Sequence, residues 1–242
     1  MIGSNNMNDF GSRLVWFTGA PGSKWSGSSN VLQSIARLNF NITDRSPERE
    51  FVQNGTNLIA KGITHTGMYF GPGHGYGEEF HNINLLDPAT VEATIAKEWT
   101  DPGYGKLLVK SHFFSHNLDY IADTWPNNPI IMILRPNVSC EIGWFSAGGW
   151  NIKYPDYCPY YKDDDTMKKM IAEHNAKMIN FCNVRNVKIE SLTADYLKST
   201  FNWTVDQIEN EEQRAWTLKH LIHTEYTKDV SIAIYNLDKL IP

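Results

Sequence analysis

Cysteine is scarce in this sequence. The 242 residues include three cysteines, Cys140, Cys158 and Cys182. Their number is odd, and no two of them have the C-x-x-C spacing. A disulfide framework and a cysteine-based zinc site are therefore not expected, and the three side chains are predicted to be reduced thiols.

Basic residues are fewer than acidic residues, and long apolar runs are absent from the sequence. Lysine and arginine number 22 against 27 acidic residues, a formal net charge of −5. No basic stripe is present, so we expect no nucleic-acid partner, although a few amides and cations can still bind a small anion. No apolar run approaches the roughly 20 residues that span a bilayer, and residues 1–10 contain neither a basic nor an apolar leader. We therefore expect a soluble, cytoplasmic protein with no membrane partner.

The composition that remains is that of a folded domain. Apolar residues make up 41% of the chain and charged residues 20%. These proportions exclude a disordered tail and a coiled coil. The chain has no internal repeat and no Pro/Ser-rich linker. The sequence therefore predicts one domain over residues 1–242.

Short apolar runs alternate with helical patterns along the chain. The predicted strands cover residues 13–18, 106–110, 130–134 and 186–190, and the predicted helices cover residues 31–38, 116–125, 137–145, 164–182, 193–201 and 205–226. This alternation predicts a three-layer α/β fold, with a mostly parallel central sheet and helices on both faces. Ligands of such sheets lie beyond the carboxyl ends of the strands. The loops after Thr18, Lys110 and Leu134 are therefore predicted to converge on one cleft.

The loop after the first strand, residues 19–29, is rich in glycine and serine. Its cationic and hydroxyl side chains are Lys24, Ser26, Ser28 and Ser29. Together with backbone amides at a helix N-terminus, such groups bind anions, which predicts a P-loop-like phosphate-binding loop. The spacing is not that of Walker A, because Lys24 precedes the last glycine, Gly27. The alternative is a turn whose serine hydroxyls or Asn30 merely cap the helix.

The order of residues in this loop resembles a known motif. Sulfotransferases that use 3′-phosphoadenosine 5′-phosphosulfate (PAPS) have Lys-Ser/Thr-Gly-Thr-Thr in their 5′-phosphosulfate loop. Here Lys24, Gly27, Ser28 and Ser29 match, and Trp25-Ser26 stands where that family has one residue. The resemblance implies that this loop, Ser26 included, binds the phosphosulfate and that Lys24 also assists the transfer.

A second motif, Lys110-Ser-His112, ends a predicted strand. It resembles the Lys-Thr-His of many cytosolic sulfotransferases. The resemblance implies that His112 is the general base for the acceptor hydroxyl and that Lys110 stabilises charge on the phosphosulfate. Imidazole titrates near neutrality and an ammonium offsets developing anionic charge, so both residue types suit these roles. The alternative is a strand-end lysine and a hydrogen-bonded loop histidine, with His116 as the nearest other base.

Residues 130–145 resemble the family's 3′-phosphate segment, a buried strand that ends in arginine and is followed by a serine-bearing helix. Arg135 takes the arginine position, where a guanidinium can fork onto a phosphate. The family's serine falls eight residues later, at Gly143, whereas Ser139 comes four residues after Arg135. Positions 139 and 143 share a helix face. Ser139 is therefore predicted either to contact the same phosphate or to serve the helix start.

The resemblance covers about residues 13–200, and it includes residues 187–192, which resemble the family's Tyr-Glu-Asp-Leu run. The family's C-terminal Arg-Lys-Gly segment is missing, and Arg214 and Lys219 lie on a predicted helix instead. The resemblance implies transfer of a sulfuryl group from PAPS to a hydroxyl or amine of a small-molecule or carbohydrate acceptor. The nucleotide product is adenosine 3′,5′-bisphosphate, and no metal is needed. The alternatives are a P-loop kinase or NTPase, and a catalytically inactive nucleotide-binding module of the same fold.

Two long segments, residues 67–84 and 147–165, interrupt the alternation. Long loops in compact domains are often binding surfaces. Their aromatic and polar residues suit a sugar or a phenol, or else they pack the loops onto the domain. These residues are His65 just before the first segment, and Tyr69, His74, Tyr76, Glu78, Glu79, Trp150, Tyr154 and Tyr157. The sequence leaves the acceptor and the oligomeric state open.

Overall fold

The computed structural model describes residues 10–45, 52–53, 56–57, 67–72, 77–152, 158–208, 211–218 and 229–241 of the chain. Within these ranges the strands are β1 (Leu14–Gly19), β2 (Val52–Gln53), β3 (Thr56–Asn57), β4 (Met68–Tyr69), β5 (Leu107–Lys110), β6 (Ile130–Leu134), β7 (Ile189–Ser191) and β8 (Ser231–Tyr235). The α-helices are α1 (Trp25–Ser34), α2 (Pro88–Ala96), α3 (Leu118–Thr124), α4 (Asn137–Ser146), α5 (Asp164–Val184), α6 (Ala194–Phe201), α7 (Glu211–Thr217) and α8 (Leu237–Leu240).

Six strands form one sheet in the order β4-β5-β1-β6-β8-β7. The pairs β4/β5, β5/β1 and β1/β6 are parallel, whereas β8 runs antiparallel to both of its neighbours. Phe17 of β1 lies opposite Lys110 of β5 and Ile131 of β6. The fold is therefore α/β with a mostly parallel sheet, as predicted. β2 and β3 form a separate two-stranded antiparallel pair.

Helices cover both faces of this sheet because its strands are apolar on both sides. Consecutive side chains of β1 alternate between two buried clusters. Val15 and Phe17 belong to the cluster that includes α1, α4 and α6, whereas Leu14 and Trp16 belong to the cluster with α2 and α3. α5 contributes side chains to both clusters. The three-layer arrangement follows from this two-sided burial.

Short polar side chains start several of the helices. Asp87 accepts a hydrogen bond from the Thr90 amide (3.0 Å) at the start of α2. Asp163 accepts one from the Thr166 amide (2.8 Å), so the acidic run at residues 163–165 begins α5. These carboxylates satisfy amides that the first helical turn leaves unpaired.

The structure departs from the sequence prediction at both ends of the chain. The first helix begins at Trp25 and ends at Ser34, earlier than the predicted 31–38. The fourth strand, predicted at 186–190, lies at Ile189–Ser191 and pairs with β8, which the sequence did not single out.

The predicted C-terminal helix over residues 205–226 is also wrong in its first part. Val205–Gln207 forms a 3-10 turn, and α7 begins only at Glu211. Residues 219–228 lie outside the described part of the chain. None of the helices within the described ranges combines the length and the apolarity that a membrane crossing requires.

Candidate active site

The segments that follow β1, β5 and β6 meet at the carboxyl edge of the sheet. The Gly19 carbonyl accepts a hydrogen bond from Nδ1 of His112. Oγ1 of Thr18 donates to the His112 carbonyl (3.1 Å). Nη1 of Arg135 donates to the Gly22 carbonyl (3.2 Å). The three loops that the sequence placed at one cleft are therefore joined by direct hydrogen bonds.

Close packing against α4 fixes the backbone of the loop after β1. Gly22 has φ +76°, and a Cβ added there would collide with the Cys140 carbonyl oxygen and lie 2.6 Å from the Trp144 amide nitrogen. A Cβ at Gly143 would collide with the Gly22 carbonyl oxygen and lie 2.8 Å from Nη1 of Arg135. The position at which the resembled family has a serine is therefore closed to any side chain here.

Lys24 immediately precedes α1 and has a left-handed backbone, with φ 67° and ψ 21°. Such a conformation is uncommon for a residue with a Cβ and often marks a functional site. Burial lowers the pKa of Lys24, the Arg135 guanidinium lowers it further, and Asp229 opposes both effects. The loop therefore sets a partly desolvated ammonium near a second cation at the start of a helix.

The hydroxyls of Ser28 and Ser29 bond to backbone carbonyls at the start of α1. Oγ of Ser28 donates to the Lys24 carbonyl (3.1 Å), and Oγ of Ser29 donates to the Ser26 carbonyl (2.8 Å). These residues lie in the first turns of α1 and do not cap it, because the helix begins at Trp25 and has no side-chain cap. The capping alternative is therefore wrong for these two serines, whereas their predicted role in binding a phosphate stays a prediction.

Ser23 is a residue of this loop that the sequence did not single out. Its Oγ is buried and has no hydrogen-bond partner among the described residues. That oxygen lies 2.7 Å from where a Cβ of Gly19 would be, beside the carbonyl that binds His112. Ser23 therefore brings an uncommitted buried hydroxyl to the loop, next to the strand end. No spacing rule distinguished it from the other serines.

His112 and Lys110 are both buried beside the indole of Trp25. The His112 and Trp25 rings are 3.9 Å apart between centroids and inclined by 31°. Nζ of Lys110 lies 5.5 Å from the same indole, within cation–π range. A carbonyl oxygen can only accept, so Nδ1 of His112 carries the proton that bonds Gly19, and Nε2 is the basic nitrogen of the neutral ring. Trp25, one of the two residues that stand where the resembled motif has one, thus contacts both residues of the second motif.

Arg135 is held by protein groups. Its Nε donates to Oδ1 of Asp229 (2.9 Å), and its Nη1 donates to the Ser139 carbonyl (2.7 Å) as well as to Gly22. Ser139 thus contributes a backbone oxygen to Arg135. Asp229 was not found from the sequence, because it lies 94 residues from Arg135 in the chain.

A cluster of histidines, His112, His116 and His174, adjoins this site. His174 comes from α5 and is fully buried, with its ring 4.8 Å from His116 and 6.3 Å from His112. Oγ of Ser115 donates to the His112 carbonyl (2.9 Å) and therefore accepts from Nδ1 of His174 (2.6 Å). Burial holds the pKa of His174 well below its usual range, and His112 and His116 add to this effect. His174 is therefore neutral near pH 7. Its contact with Ser115 could not be predicted, because a single histidine on an amphipathic helix has no distinguishing pattern.

The two long segments meet at Phe113, the residue after His112. His81 lies 6.2 Å from the Phe113 ring on one side, and Tyr160 lies 6.2 Å from it on another. Tyr69 is buried against Trp25 (5.9 Å) instead of facing an open cleft. Glu78 and Glu79 are exposed, and Trp150 packs on the buried Trp144 (5.8 Å). His65, His74, Tyr76, Tyr154 and Tyr157 lie outside the described residues.

No group of three or more His, Cys, Asp or Glu side chains in the described ranges is arranged to hold a metal ion. Comparison with protein-family models, with curated proteins and with solved structures found no match for this chain. The geometry at the ends of β1, β5 and β6 therefore carries the functional conclusion.

Proposed function

We propose that this chain is a PAPS-dependent sulfotransferase whose acceptor is a hydroxyl or amine of a small molecule or carbohydrate. One observation carries the proposal. Candidate residues lie at the ends of three neighbouring parallel strands: Lys24 after β1, the Lys110/His112 pair at the end of β5, and Arg135 after β6. His112 is hydrogen-bonded to Gly19, and Arg135 is hydrogen-bonded to Gly22. Trp25, next to Lys24 in the chain, stacks on His112. Three cations and a base at one sheet edge suit a ligand that carries two separate anionic groups and reacts by proton removal.

The cations divide naturally between two anions. Lys24 immediately precedes α1, so the helix amides and the Lys24 ammonium would bind one anion together, and we assign the 5′ phosphosulfate to this loop. Desolvation and the nearby Arg135 lower the pKa of Lys24, and the negative charge of a bound dianion would raise this pKa again. Arg135 is assigned the 3′-phosphate, for which it would exchange its bond to Asp229.

The chemistry assigned to the chain's own residues is proton removal and charge stabilisation. PAPS would supply the sulfuryl group and a good leaving group. His112, with Nδ1 held by Gly19, takes the acceptor's proton on Nε2 as the acceptor oxygen or nitrogen bonds to sulfur. The bond from sulfur to the 5′-phosphate oxygen breaks, and Lys110 and Lys24 offset the charge on that oxygen. As in phosphoryl transfer, positioning and electrostatics do most of the work.

Two observations favour a second candidate, a nucleotide-binding module without transfer activity. The hydroxyls of Ser28 and Ser29 are bonded to backbone carbonyls at the start of α1, and Arg135 is bonded to Asp229 and two carbonyls. A site in which these groups stay committed would bind a nucleotide weakly and would catalyse nothing. The experiments below separate the two candidates.

Binding is measured by titration calorimetry of the full chain with adenosine 3′,5′-bisphosphate, AMP, and ATP with magnesium. A charge-assisted contact to the 3′-phosphate contributes roughly 1.5 to 3 kcal/mol, so the bisphosphate should bind about 10- to 100-fold more tightly than AMP. Arg135→Ala should abolish this preference, and the exposed Arg37→Ala serves as the control. Equal affinities for the two nucleotides, or a preference for ATP, would overturn the nucleotide assignment.

Catalysis is measured with radiolabelled PAPS and a panel of phenols, sugars and amines. His112→Ala should lower turnover by about 100-fold while the bisphosphate affinity is retained. Lys24→Ala should lower turnover more than it weakens binding, and Gly27→Val should abolish binding by blocking the approach of phosphate to the loop backbone. Bisphosphate binding without transfer to any acceptor would favour the inactive module. Loss of transfer in His116→Ala but not in His112→Ala would refute the assignment of the base.

A further inference from the structure

Two consecutive residues of α5, His174 and Asn175, are both polar and buried, at 0% and 5% exposure. Nε2 of His174 and Oδ1 of Asn175 have no hydrogen-bond partner among the described residues. A buried polar atom without a partner costs free energy, so packing alone does not account for this pair. The other buried side chains of α5 belong to Met167, Ile171, Met178, Phe181 and Cys182.

His174 acts on the backbone of His112 through Ser115. Nδ1 of His174 donates to Oγ of Ser115 (2.6 Å), and Oγ of Ser115 donates to the His112 carbonyl (2.9 Å). A hydroxyl has one proton to donate. Because His174 occupies Ser115 as an acceptor, that proton is directed to the carbonyl of His112.

The carbonyl and the ring of His112 are both attached to the end of β1. Oγ1 of Thr18 donates to the carbonyl (3.1 Å), and the ring donates from Nδ1 to the next residue, Gly19. The bond to Gly19 keeps the proton on Nδ1 and makes Nε2 the basic nitrogen of the neutral ring. Ser115 and His174 hold the backbone from which this ring extends. They therefore act on the tautomer of His112 without a hydrogen bond to its ring.

Asn175 makes the corresponding contact at the end of β6. Its Nδ2 donates to the Arg135 carbonyl (2.8 Å) and to Oδ1 of Asn137 (2.7 Å), the first residue of α4. From the backbone held in this way, the Arg135 guanidinium reaches Gly22 and Asp229. One turn of α5 thus supports two strand ends, β5 and β6, which lie on either side of β1.

We propose that His174 and Asn175 are positioning residues of the candidate active site. His174, through Ser115, holds the general base, and Asn175 holds the arginine of the nucleotide site. The roles of that base and that arginine rest on the proposed function, whereas the contacts of α5 do not.

The first test replaces each residue by leucine, a strong helix former without polar atoms. His174→Leu should lower kcat about tenfold or more, with the KM for the acceptor and the bisphosphate affinity retained. Asn175→Leu should weaken bisphosphate binding about tenfold and leave the His112 ring as it is. A role in stability alone would instead move both measurements together in both variants.

The second test reads the His112 ring by long-range ¹H–¹⁵N NMR of the full chain with labelled histidine. Signals that disappear in His112→Ala identify the residue. At about pH 8, where a histidine of ordinary pKa is neutral, His112 should have its proton on Nδ1. Ser115→Ala and His174→Leu should each give a mixture of the two tautomers. His174→Asn, whose amide can replace Nδ1 as the donor, should restore the single tautomer and most of the turnover.

Ser34 supplies a matched control. Its Oγ donates to the Val31 carbonyl (2.6 Å) and accepts from Nε1 of Trp203 (2.7 Å), the same arrangement elsewhere in the core. Ser34→Ala should leave the His112 tautomer and the bisphosphate affinity unchanged. The double variant Ser115→Ala/His174→Leu removes both hydrogen-bonding partners at once, which is better tolerated than removal of one. It should show the same tautomer mixture even where a single variant does not fold.

Three results would overturn the proposal: a single His112 tautomer in the Ser115→Ala and double variants, a His174→Asn variant that behaves like His174→Leu, or full bisphosphate affinity in Asn175→Leu. The tautomer is read without nucleotide or acceptor. A chain that transfers no sulfuryl group would therefore refute the proposed function, and the NMR result would still decide the role of His174.

Discussion

The backbone of Lys24 allows stability and function to be separated at one position. Lys24 lies at φ 67° and ψ 21°, in the left-handed region, immediately before α1. A Cβ in that region approaches the following carbonyl oxygen, whereas glycine has no Cβ to do so. We predict that Lys24→Gly is more stable than Lys24→Ala, although both variants lose the same ammonium and the same activity.

The magnitude follows from two opposing contributions. The left-handed conformation costs a residue with a Cβ roughly 1 to 2 kcal/mol. Glycine recovers this cost but loses about 0.4 to 1 kcal/mol through the greater freedom of its unfolded chain. With the middle of each range, the net gain of Gly over Ala is about 0.8 kcal/mol, or roughly 2 to 3 °C in Tm for a chain of this size. The lost contacts of the lysine side chain are common to both variants and cancel in the comparison.

Urea unfolding and thermal unfolding of both variants measure this difference. The matched control is the same pair of substitutions at Ser26, the second residue of α1. There the backbone is helical, so Ser26→Ala should be more stable than Ser26→Gly by about 0.5 to 1 kcal/mol. Opposite orders at two positions two residues apart would support the geometry. A Lys24→Ala variant as stable as Lys24→Gly would refute the left-handed assignment and the tight loop built on it.

Three further predictions concern packing, pH and catalysis. Gly143→Ser, which introduces the serine of the resembled family, should destabilise the fold by about 1 to 3 kcal/mol in urea unfolding, because its Cβ meets the Gly22 carbonyl. It should also weaken bisphosphate binding. An unchanged unfolding midpoint contradicts this prediction. The folded-state pKa of His174 lies below its unfolded value near 6.5. The contribution of His174 to the free energy of unfolding is therefore complete above about pH 6.5. Below that pH it is lost by up to about 1.4 kcal/mol per pH unit. His174→Asn should flatten the dependence between about pH 7 and about pH 5, and an equally steep dependence in this variant speaks against the assignment. Trp25→Leu should lower turnover by about tenfold with bisphosphate affinity retained, whereas Trp25→Phe, which keeps an aromatic ring over His112, should keep most of the activity; equal turnover of the two variants contradicts the role given to the ring.

The correctly predicted parts of the fold are the strands that form local apolar runs in the sequence. Residues of β1, β5 and β6 are buried on both faces, so each strand appears as an uninterrupted apolar segment. The rule that ligands lie beyond the carboxyl ends of such strands predicts that Lys110, His112 and Arg135 share one edge of the sheet.

The parts that escaped prediction depend on contacts between distant segments. Asp229 bonds Arg135 across 94 residues, and His174 reaches Ser115 across 59 residues, with no local pattern to indicate either contact. The stacking of Trp25 on His112 is a similar case, since an inserted residue in a loop motif does not say where its side chain packs. Sequence patterns indicate where helices and strands begin and end, whereas tertiary packing determines the hydrogen-bond partners of polar groups.

The position of β8 has a consequence for how the chain is made. β8 lies between β6 and β7 in the sheet and is the neighbour of both, yet it follows them in the chain by about 95 and 40 residues. During synthesis, β7 leaves the ribosome before the strand that joins it to the sheet, and β6 exposes an unpaired apolar edge throughout that interval. Release of a polypeptide stopped anywhere before Ser231 would leave this edge open to strand pairing with other chains. Chaperone demand should therefore concentrate on the interval between the synthesis of Arg135 and that of Ser231, when all the residues assigned to sulfuryl transfer have already been made.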